Sequence, residues 1–356
     1  MQSVLIGGGY ATGREIVEYG GKFGAAGWVC GLAIFFGFSL IAFLSMEASR
    51  HWQAYDYKSL LKKLIGPGWI AYEIVYLLLA VLIIAVMASA AGEILYQTLG
   101  FQKWIGVVLI TVVVGFLNYK GEETIARLET VGSVALFIAY FIFTYTVFSN
   151  KSDEILNVFS NWNTSYLTNT PALPLLLWTG ILYVGYNLAV YPASFFTFRN
   201  LTSQKESFIA AVVSGLLMTI PWFLTYIAIM AYYPDKQVLD SAVPWLKMLE
   251  EFNPVLIAIF GIVVGWTLIE TATGMIHAFI SRIETEAQQK GNPLKKITKA
   301  WISLVALLAA LLLAQVGIID LVAKGYTFMA YAMIAVYAVP LLLFAGKFLK
   351  PKRSEN

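Results

Sequence analysis

The chain has 356 residues, of which 59% are hydrophobic and only 13% are charged. A mean hydropathy of +0.73 and many long apolar runs exclude a soluble globular protein and predict a polytopic membrane protein. The net charge of +3 gives no reason to expect a nucleic-acid partner, and a single cysteine, Cys30, excludes an intrachain disulfide.

Hydrophobic patterning predicts an all-α protein with ten membrane-spanning helices. The predicted spans are 2–21, 25–46, 68–98, 102–118, 123–148, 173–198, 205–232, 253–281, 297–315 and 326–346. Segment 47–66 is too polar to span and is predicted to lie in the membrane interface. Residues 149–172 read as an extracellular loop, and 234–252 as short helices lying over the bundle.

The first predicted span is interrupted by the sequence Gly7-Gly8-Gly9-Tyr10-Ala11-Thr12-Gly13-Arg14-Glu15. Each glycine weakens a helix by about 1 kcal/mol relative to alanine. Lipid tolerates irregular backbone only where it is buried in protein or lines a watery cavity. We therefore predict that residues 7–13 bind a substrate, through backbone groups at two half-helix ends and through the Thr12 hydroxyl. Tight packing of small residues is the alternative.

Arg14 and Glu15 place two charges beside this interruption, which packing alone does not require. We expect them to contact a charged substrate, to form an outer gate, or to pair with each other, with Glu93 or with Glu270. Only six residues precede Gly7, so the first half-helix is either very short or continues upstream of this sequence.

The placement of positive charge predicts the orientation. With the N-terminus in the cytoplasm, 17 of the 24 lysines and arginines fall in cytoplasmic loops and 6 in extracellular loops, leaving Arg14. The positive-inside rule then predicts that both termini are cytoplasmic, in the plasma (inner) membrane.

Ten spans divide into five plus five, and an odd number of spans in each half inverts the second half. The halves are predicted as residues 1–148 and 173–346, with a cytoplasmic tail at 347–356. Span 6 should then mirror span 1, and it contains helix-weakening residues of its own. The candidate site residues there are Tyr183, Gly185, Tyr186 and Asn187, followed by Tyr191 and Pro192. A kinked structural helix is the alternative.

Span 8 carries a polar face in which Thr267, Glu270, Thr271, Gly274 and His277 recur at three- and four-residue spacing. A carboxylate deep in a span costs several kcal/mol unless it is paired or protonated. Glu270 is therefore a proton carrier, a cation ligand, or a salt-bridge partner of Arg14 or another base. These three hypotheses stay open at the level of the sequence.

Residues 9–15, Gly-Tyr-Ala-Thr-Gly-Arg-Glu, resemble the G-[FY]-A-T-G-[QR]-E signature of the YkvI-type amino acid permeases, in the amino acid–polyamine–organocation superfamily. The resemblance implies a LeuT-type inverted repeat with broken helices 1 and 6. Spans 1, 2, 6 and 7 would form a moving bundle, and spans 3, 4, 8 and 9 a scaffold. It also implies a sodium site between the span 1 break and span 8, at Gly8, Thr267 and Thr271, with Thr273 as a further hydroxyl.

No enzyme motif accompanies these features. The sequence has no Walker loop, no Cys/His metal cluster and no Gly-x-Ser-x-Gly motif. We predict a secondary transporter of an amino acid or similar small zwitterion, without a cofactor and coupled to H⁺ or Na⁺. A non-transporting receptor for a small ligand is the alternative. A channel would need a continuous polar pore face, which most spans lack.

Overall fold

The computed structural model describes residues 8–120 and 122–349, and every regular element within those ranges is a helix. The α-helices are α1 (Gly8–Ala11), α2 (Arg14–Tyr19), α3 (Trp28–Trp52), α4 (Tyr57–Ile65), α5 (Trp69–Leu99), α6 (Lys103–Lys120), α7 (Glu122–Asn150), α8 (Ser152–Ser160), α9 (Leu173–Asn187), α10 (Gln204–Met230), α11 (Lys236–Leu239), α12 (Pro244–Leu249), α13 (Pro254–Gln289), α14 (Lys296–Ala314), α15 (Ile318–Asp320), α16 (Thr327–Met333), α17 (Val339–Leu343) and α18 (Ala345–Phe348). Tighter 3₁₀ segments are Gly21–Gly27, Gly66–Gly68 and Leu188–Asn200, and wider π-helical segments are Leu321–Tyr326 and Ile334–Ala338.

Helix occupies each of the ten predicted spans. Six helical stretches in the described residues are long and apolar enough to cross a membrane, or seven if the bent pair α7–α8 counts as one span. The six are Gly21–Trp52, Tyr57–Leu99, Gln204–Met230, Pro254–Gln289, Lys296–Ala314 and Ile318–Leu343. Span 4 is present as a shorter apolar helix, Lys103–Asn118, and the described pieces of span 1 are only 4 and 6 residues long.

The long helices pack in two groups. Helix α3 packs against α9 and α10, whereas α5 packs against α6, α13 and α14. These are spans 2, 6 and 7 on one side and spans 3, 4, 8 and 9 on the other, the division that the family resemblance implies. The short helix α2 contacts α9 and α10, while α1 contacts α5 and α13. The first break therefore lies where the two groups meet.

Close backbone approach explains two glycines of the first group. A Cβ on Gly180 would lie 2.6 Å from the Cys30 carbonyl oxygen, and a Cβ on Gly215 would lie 2.1 Å from the Ser39 Oγ. Helices α9 and α10 can therefore approach α3 more closely than longer side chains would allow. Cys30 is fully buried at this contact.

One face of the segment predicted to lie in the membrane interface packs against protein. Helix α3 continues to Trp52, and α4 begins after Asp56, whose carboxylate accepts a hydrogen bond from the Ser59 amide at 2.8 Å. Leu60 and Leu61 of α4 are fully buried. One face of α4 therefore joins the protein core, and the prediction of an interfacial position for the segment stays a prediction.

Two basic residues at this end of the bundle form ion pairs between helices. The Arg282 guanidinium binds the Glu73 carboxylate at 2.9 Å and lies 4.0 Å from the centre of the Tyr57 ring. Lys58 of α4 pairs with Glu286 of α13. These contacts tie α4 to α5 and α13.

The opposite end is covered by loop 149–172 and by residues 236–249, which comprise α11 and α12 and are here named the capping hairpin. Helix α8 turns by 76° from α7 and contacts α10. The Tyr166 hydroxyl donates to the Asp240 carboxylate at 2.5 Å. Burial and this neighbouring carboxylate raise the pKa of Tyr166 to about 12, so the hydroxyl remains a donor at neutral pH.

Candidate functional site

The break in the first span lies at Thr12 and Gly13. Helix α1 ends at Ala11 and α2 begins at Arg14, and Gly13 between them has a φ of 82°. This left-handed conformation is one that glycine adopts without steric cost. The Thr12 hydroxyl accepts a hydrogen bond from the Arg14 amide at 3.2 Å and so caps the new helix.

The interruption is thus confirmed, but it is shorter than the glycine run suggested. Gly8 and Gly9 belong to α1, so the prediction of irregular backbone there is wrong, and Gly7 lies outside the described residues. A helical turn can persist at glycines when neighbouring helices hold it, and α1 packs against α5 and α13.

The capping hairpin docks directly on this break. The Trp245 amide donates to the Thr12 carbonyl at 3.2 Å, and the Trp245 indole N–H donates to the Thr225 hydroxyl at 3.3 Å. A Cβ on Gly13 would lie only 3.0 Å from Trp245 Cδ1. The left-handed glycine therefore also provides the space into which this tryptophan packs.

Arg14 forms hydrogen bonds to the backbone of the capping hairpin. Its Nη1 donates to the Leu239 carbonyl at 2.7 Å and to the Ser241 carbonyl at 3.1 Å. Its Nη2 lies 3.4 Å from the carboxylate of Glu18. Of the roles proposed from the sequence, this geometry supports the gate. Glu93, one predicted partner of Arg14, binds Lys103 at 2.6 Å instead.

Glu15 points away from Arg14 and joins the two interrupted spans. Its carboxylate is 6% exposed and accepts a hydrogen bond from the Tyr186 hydroxyl at 2.5 Å. Glu15 is the second residue after the first break, and Tyr186 is the last but one residue of α9 before the second. The two breaks that the sequence predicts are therefore in direct contact.

Span 6 changes its winding where the sequence predicts a break. Helix α9 ends at Asn187, and the chain continues as the 3₁₀ segment that contains Pro192. The side-chain amide of Asn187 donates to the Tyr183 carbonyl of its own helix at 2.8 Å. A Cβ on Gly185 would lie 2.9 Å from Ile334 Cδ1. Gly185 and Asn187 therefore serve local winding and packing in this structure, whereas Tyr183 and Tyr186 face Glu15 and α2.

Four tyrosines that contact one another lie near the Glu15 carboxylate and are here named the tyrosine cluster: Tyr19, Tyr183, Tyr186 and Tyr326. Tyr186 and Tyr326 stack with ring centres 4.5 Å apart. Beside the cluster, the Tyr140 hydroxyl donates to the carbonyl of Tyr10 at 3.1 Å, at the end of α1.

The sequence prediction missed Tyr19, Tyr140 and Tyr326. Tyr19 had a usable signal, because it follows Glu15 by four residues and so shares its helix face. Tyr140 and Tyr326 had none, since only the folded chain brings them to the break.

The predicted ion-coupling face of span 8 is partly buried inside the protein. Thr267 and Thr273 are buried, and their hydroxyls donate to the carbonyls of Val263 and Ile269 at 2.8 and 2.7 Å. Their oxygens keep lone pairs that a cation could share, and Thr271 is half-buried. Gly8, the other predicted sodium ligand, belongs to α1, and α1 packs against α13. Within the described residues, no group of three His, Cys, Asp or Glu side chains could hold a metal ion.

The Glu270 carboxylate packs against span 5 and does not contact Arg14. A Cβ on Gly132 of α7 would lie 2.1 Å from the Glu270 Oε2 and 2.7 Å from Trp266 Cδ1. The salt bridge to Arg14 that the sequence left open is not formed, since Arg14 binds Glu18 and the capping hairpin. His277 is half-buried, with its Nε2 3.4 Å from the Ser281 hydroxyl.

The residues beside the two breaks meet through the Glu15–Tyr186 hydrogen bond, and the chain has the LeuT-type fold. Three solved structures show it. The chain has a TM-score of 0.62 and 13% identity to MhsT in complex with L-phenylalanine, covering 97% of this chain and 89% of that one. A mutant of the manganese transporter of Eremococcus coleocola gives 0.55 and 12%, covering 98% and 82%. A substrate-bound, outward-open Na⁺-coupled sialic acid symporter gives 0.54 and 11%, covering 94% and 79%.

The resemblance to YkvI is also confirmed. The chain is 22% identical over 338 residues to the uncharacterized membrane protein YkvI of Bacillus subtilis (strain 168), covering 93% of this chain and 90% of that protein. No model of a known protein family matches the sequence.

Proposed function

We propose that this protein is a secondary active transporter that moves an amino acid or a similar small zwitterion by alternating access. The observation that carries the proposal is the 2.5 Å hydrogen bond between Tyr186 and Glu15, because it joins the two interrupted helices. Interrupted helices in matching positions of two halves are typical of transporter binding sites. The site lies between the two groups of helices, where a relative movement would open and close it.

The proposed topology has ten spans in two inverted halves of five, with both termini in the cytoplasm of a plasma (inner) membrane. Helices at all ten predicted positions support this count. The excess of basic residues on one side supports the orientation, which makes the capping hairpin extracellular. Contacts of the hairpin with Arg14 and with the Thr12 carbonyl support a site that is closed from the outside.

Uptake into proteoliposomes tests the proposal. The purified protein is reconstituted, and labelled amino acids are offered with an inward H⁺ gradient, an inward Na⁺ gradient, or neither. We expect one of the two gradients to drive accumulation above the equilibrium level, because no site for ATP is visible in the sequence. Tight binding without accumulation under either gradient would favour a receptor with the same fold.

The Glu270 region offers a test of ion coupling. We expect Gly132→Ala to lower gradient-driven uptake about tenfold, because an added methyl group forces the Glu270 carboxylate and Trp266 out of their places. The measurement is the initial uptake rate with and without the ion gradient. Gly261→Ala is the matched control, since a Cβ at Gly261 of α13 meets no atom within 4 Å. Equal rates for the two variants would show that the position of Glu270 does not matter for coupling.

A further inference from the structure

Glu15 is a buried acid whose compensating cation is not supplied by the described part of the protein. Its carboxylate is 6% exposed, and the hydrogen bond that it accepts comes from the neutral Tyr186 hydroxyl. The adjacent Arg14 is committed to Glu18 and to two carbonyls of the capping hairpin. No described basic side chain forms an ion pair with Glu15, whereas Glu18, Glu73 and Glu93 each have one. Burial of an ionised carboxylate is costly unless a positive charge pairs with it.

The surroundings of Glu15 are aromatic, and each of the four tyrosine rings also carries a hydroxyl group. Tyr19 lies 5.6 Å from Tyr183 and 5.5 Å from Tyr186, measured between ring centres, and Tyr326 stacks on Tyr186 at 4.5 Å. All four side chains of the tyrosine cluster are almost fully buried. The Tyr19 hydroxyl is already engaged with Thr327 at 3.1 Å.

This combination selects one kind of cation. The negative faces of aromatic rings attract organic ammonium groups, and a carboxylate adds the charge that fixes them in place. The threonines of α13 offer hydroxyl oxygens alone, whereas the tyrosine cluster adds aromatic rings beside a carboxylate. The chemistry at Glu15 therefore differs from that of the threonine face of α13.

We propose that Glu15 and the tyrosine cluster bind the ammonium group of the transported solute. The inference rests on the proposed transport function and names the end of the substrate that this site reads. Its substrates are amines or amino acids, and carboxylic acids without an amino group are excluded. When the ammonium group binds, it replaces the Tyr186 hydroxyl as the hydrogen-bond donor to the Glu15 carboxylate. The ring of Tyr186 then contacts the ammonium group.

The test uses solutes that differ only in charged groups, offered to the purified full-length protein. Three series cover three sizes: ethylamine, alanine and propionate; isopentylamine, leucine and 4-methylpentanoate; 2-phenylethylamine, phenylalanine and 3-phenylpropionate. Dissociation constants are measured by calorimetry, with thermal stabilisation as a second readout. We expect binding by amines or amino acids of at least one series, and none by the three acids.

Substitutions then locate the ammonium group. We expect Glu15→Gln to weaken binding about 30-fold or more, as is typical when one partner of a buried charge pair is removed. Tyr186→Phe keeps the ring and should change affinity by no more than about threefold, while Tyr186→Leu should weaken it about tenfold. Glu93→Gln is the matched control: it makes the same change at another buried carboxylate, which Lys103 already pairs, and should leave affinity unchanged.

Three results would overturn the inference: binding by an acid of the series, unchanged affinity in Glu15→Gln, or no binding by any ammonium compound. Unchanged affinity with loss of pH-driven uptake would identify Glu15 as a proton carrier instead. If Glu15→Gln does not fold, the comparison of Tyr186→Leu with Tyr186→Phe decides. Failure of the transport function has a different signature, in which ammonium compounds bind, Glu15→Gln abolishes binding, and no solute accumulates in proteoliposomes.

Discussion

Gly13→Val is expected to lower substrate uptake about 100-fold. A β-branched residue at a φ of 82° pays about 1–2 kcal/mol for the left-handed conformation. Its methyl groups also enter the space of the Trp245 ring, because a Cβ alone would lie 3.0 Å from Cδ1, which adds about 1–3 kcal/mol of overpacking. Both costs fall on the state in which the capping hairpin is docked. The measurement is the initial uptake rate per reconstituted protein.

Gly100→Val separates backbone strain from loss of docking. Gly100 has a φ of 70° at the end of α5, and a Cβ there meets no atom within 4 Å. This control introduces the same left-handed backbone strain without touching the hairpin. We therefore expect it to melt at a lower temperature but to transport normally. Equal losses of uptake in the two variants would mean that the Gly13 effect is general destabilisation.

Arg14→Gln is expected to release the capping hairpin. The guanidinium donates to two carbonyls of the hairpin, at 2.7 and 3.1 Å, and a hydrogen bond from a charged group contributes about 1.5–3 kcal/mol. Loss of both shifts the docking equilibrium by about 100-fold. We expect the hairpin to stay open for most of the time and coupled uptake to be lost.

Labelling of an introduced cysteine measures this release. Ser241→Cys places a thiol in the hairpin, and the native Cys30 is fully buried and gives little background. A membrane-impermeant maleimide should react at least about tenfold faster when Arg14→Gln is also present. Lys22→Gln is the matched control, because Lys22 binds the same Glu18 at 2.5 Å, whereas the hairpin carbonyls of Leu239 and Ser241 accept from Arg14. Faster labelling in both variants would assign the effect to Glu18 and not to the arginine.

The places of the helices and of the two breaks were predictable because their causes are local. An apolar run of sufficient length forms a helix in lipid, and glycine or proline weakens that helix wherever it stands. The sequence accordingly predicted helix at all ten positions, an interruption within residues 7–15 and another after Tyr183. It misplaced the detail at Gly8 and Gly9, since packing of α1 between neighbours holds a turn that the glycines alone would not.

The contacts of the candidate site were not predictable, because they join residues far apart in the chain. Arg14 binds a carbonyl that follows it by 225 residues, and Glu15 binds a tyrosine that follows it by 171. The sequence offered Arg14 three acidic partners, and the structure chose a fourth, Glu18, which is one helical turn away. Gly185 and Asn187 stay predicted substrate contacts, and the structure adds their packing and hydrogen-bonding roles within the bundle.

The sequence by itself thus determined that this is an all-helical membrane protein with two interrupted spans and acids near them. Length, hydropathy and glycine content act on each segment independently of the rest of the chain. Only the tertiary structure decided which acid is covered by tyrosines and which is paired with a base. That choice depends on how helices from the two halves pack, and packing is a property of the whole bundle and not of any one helix.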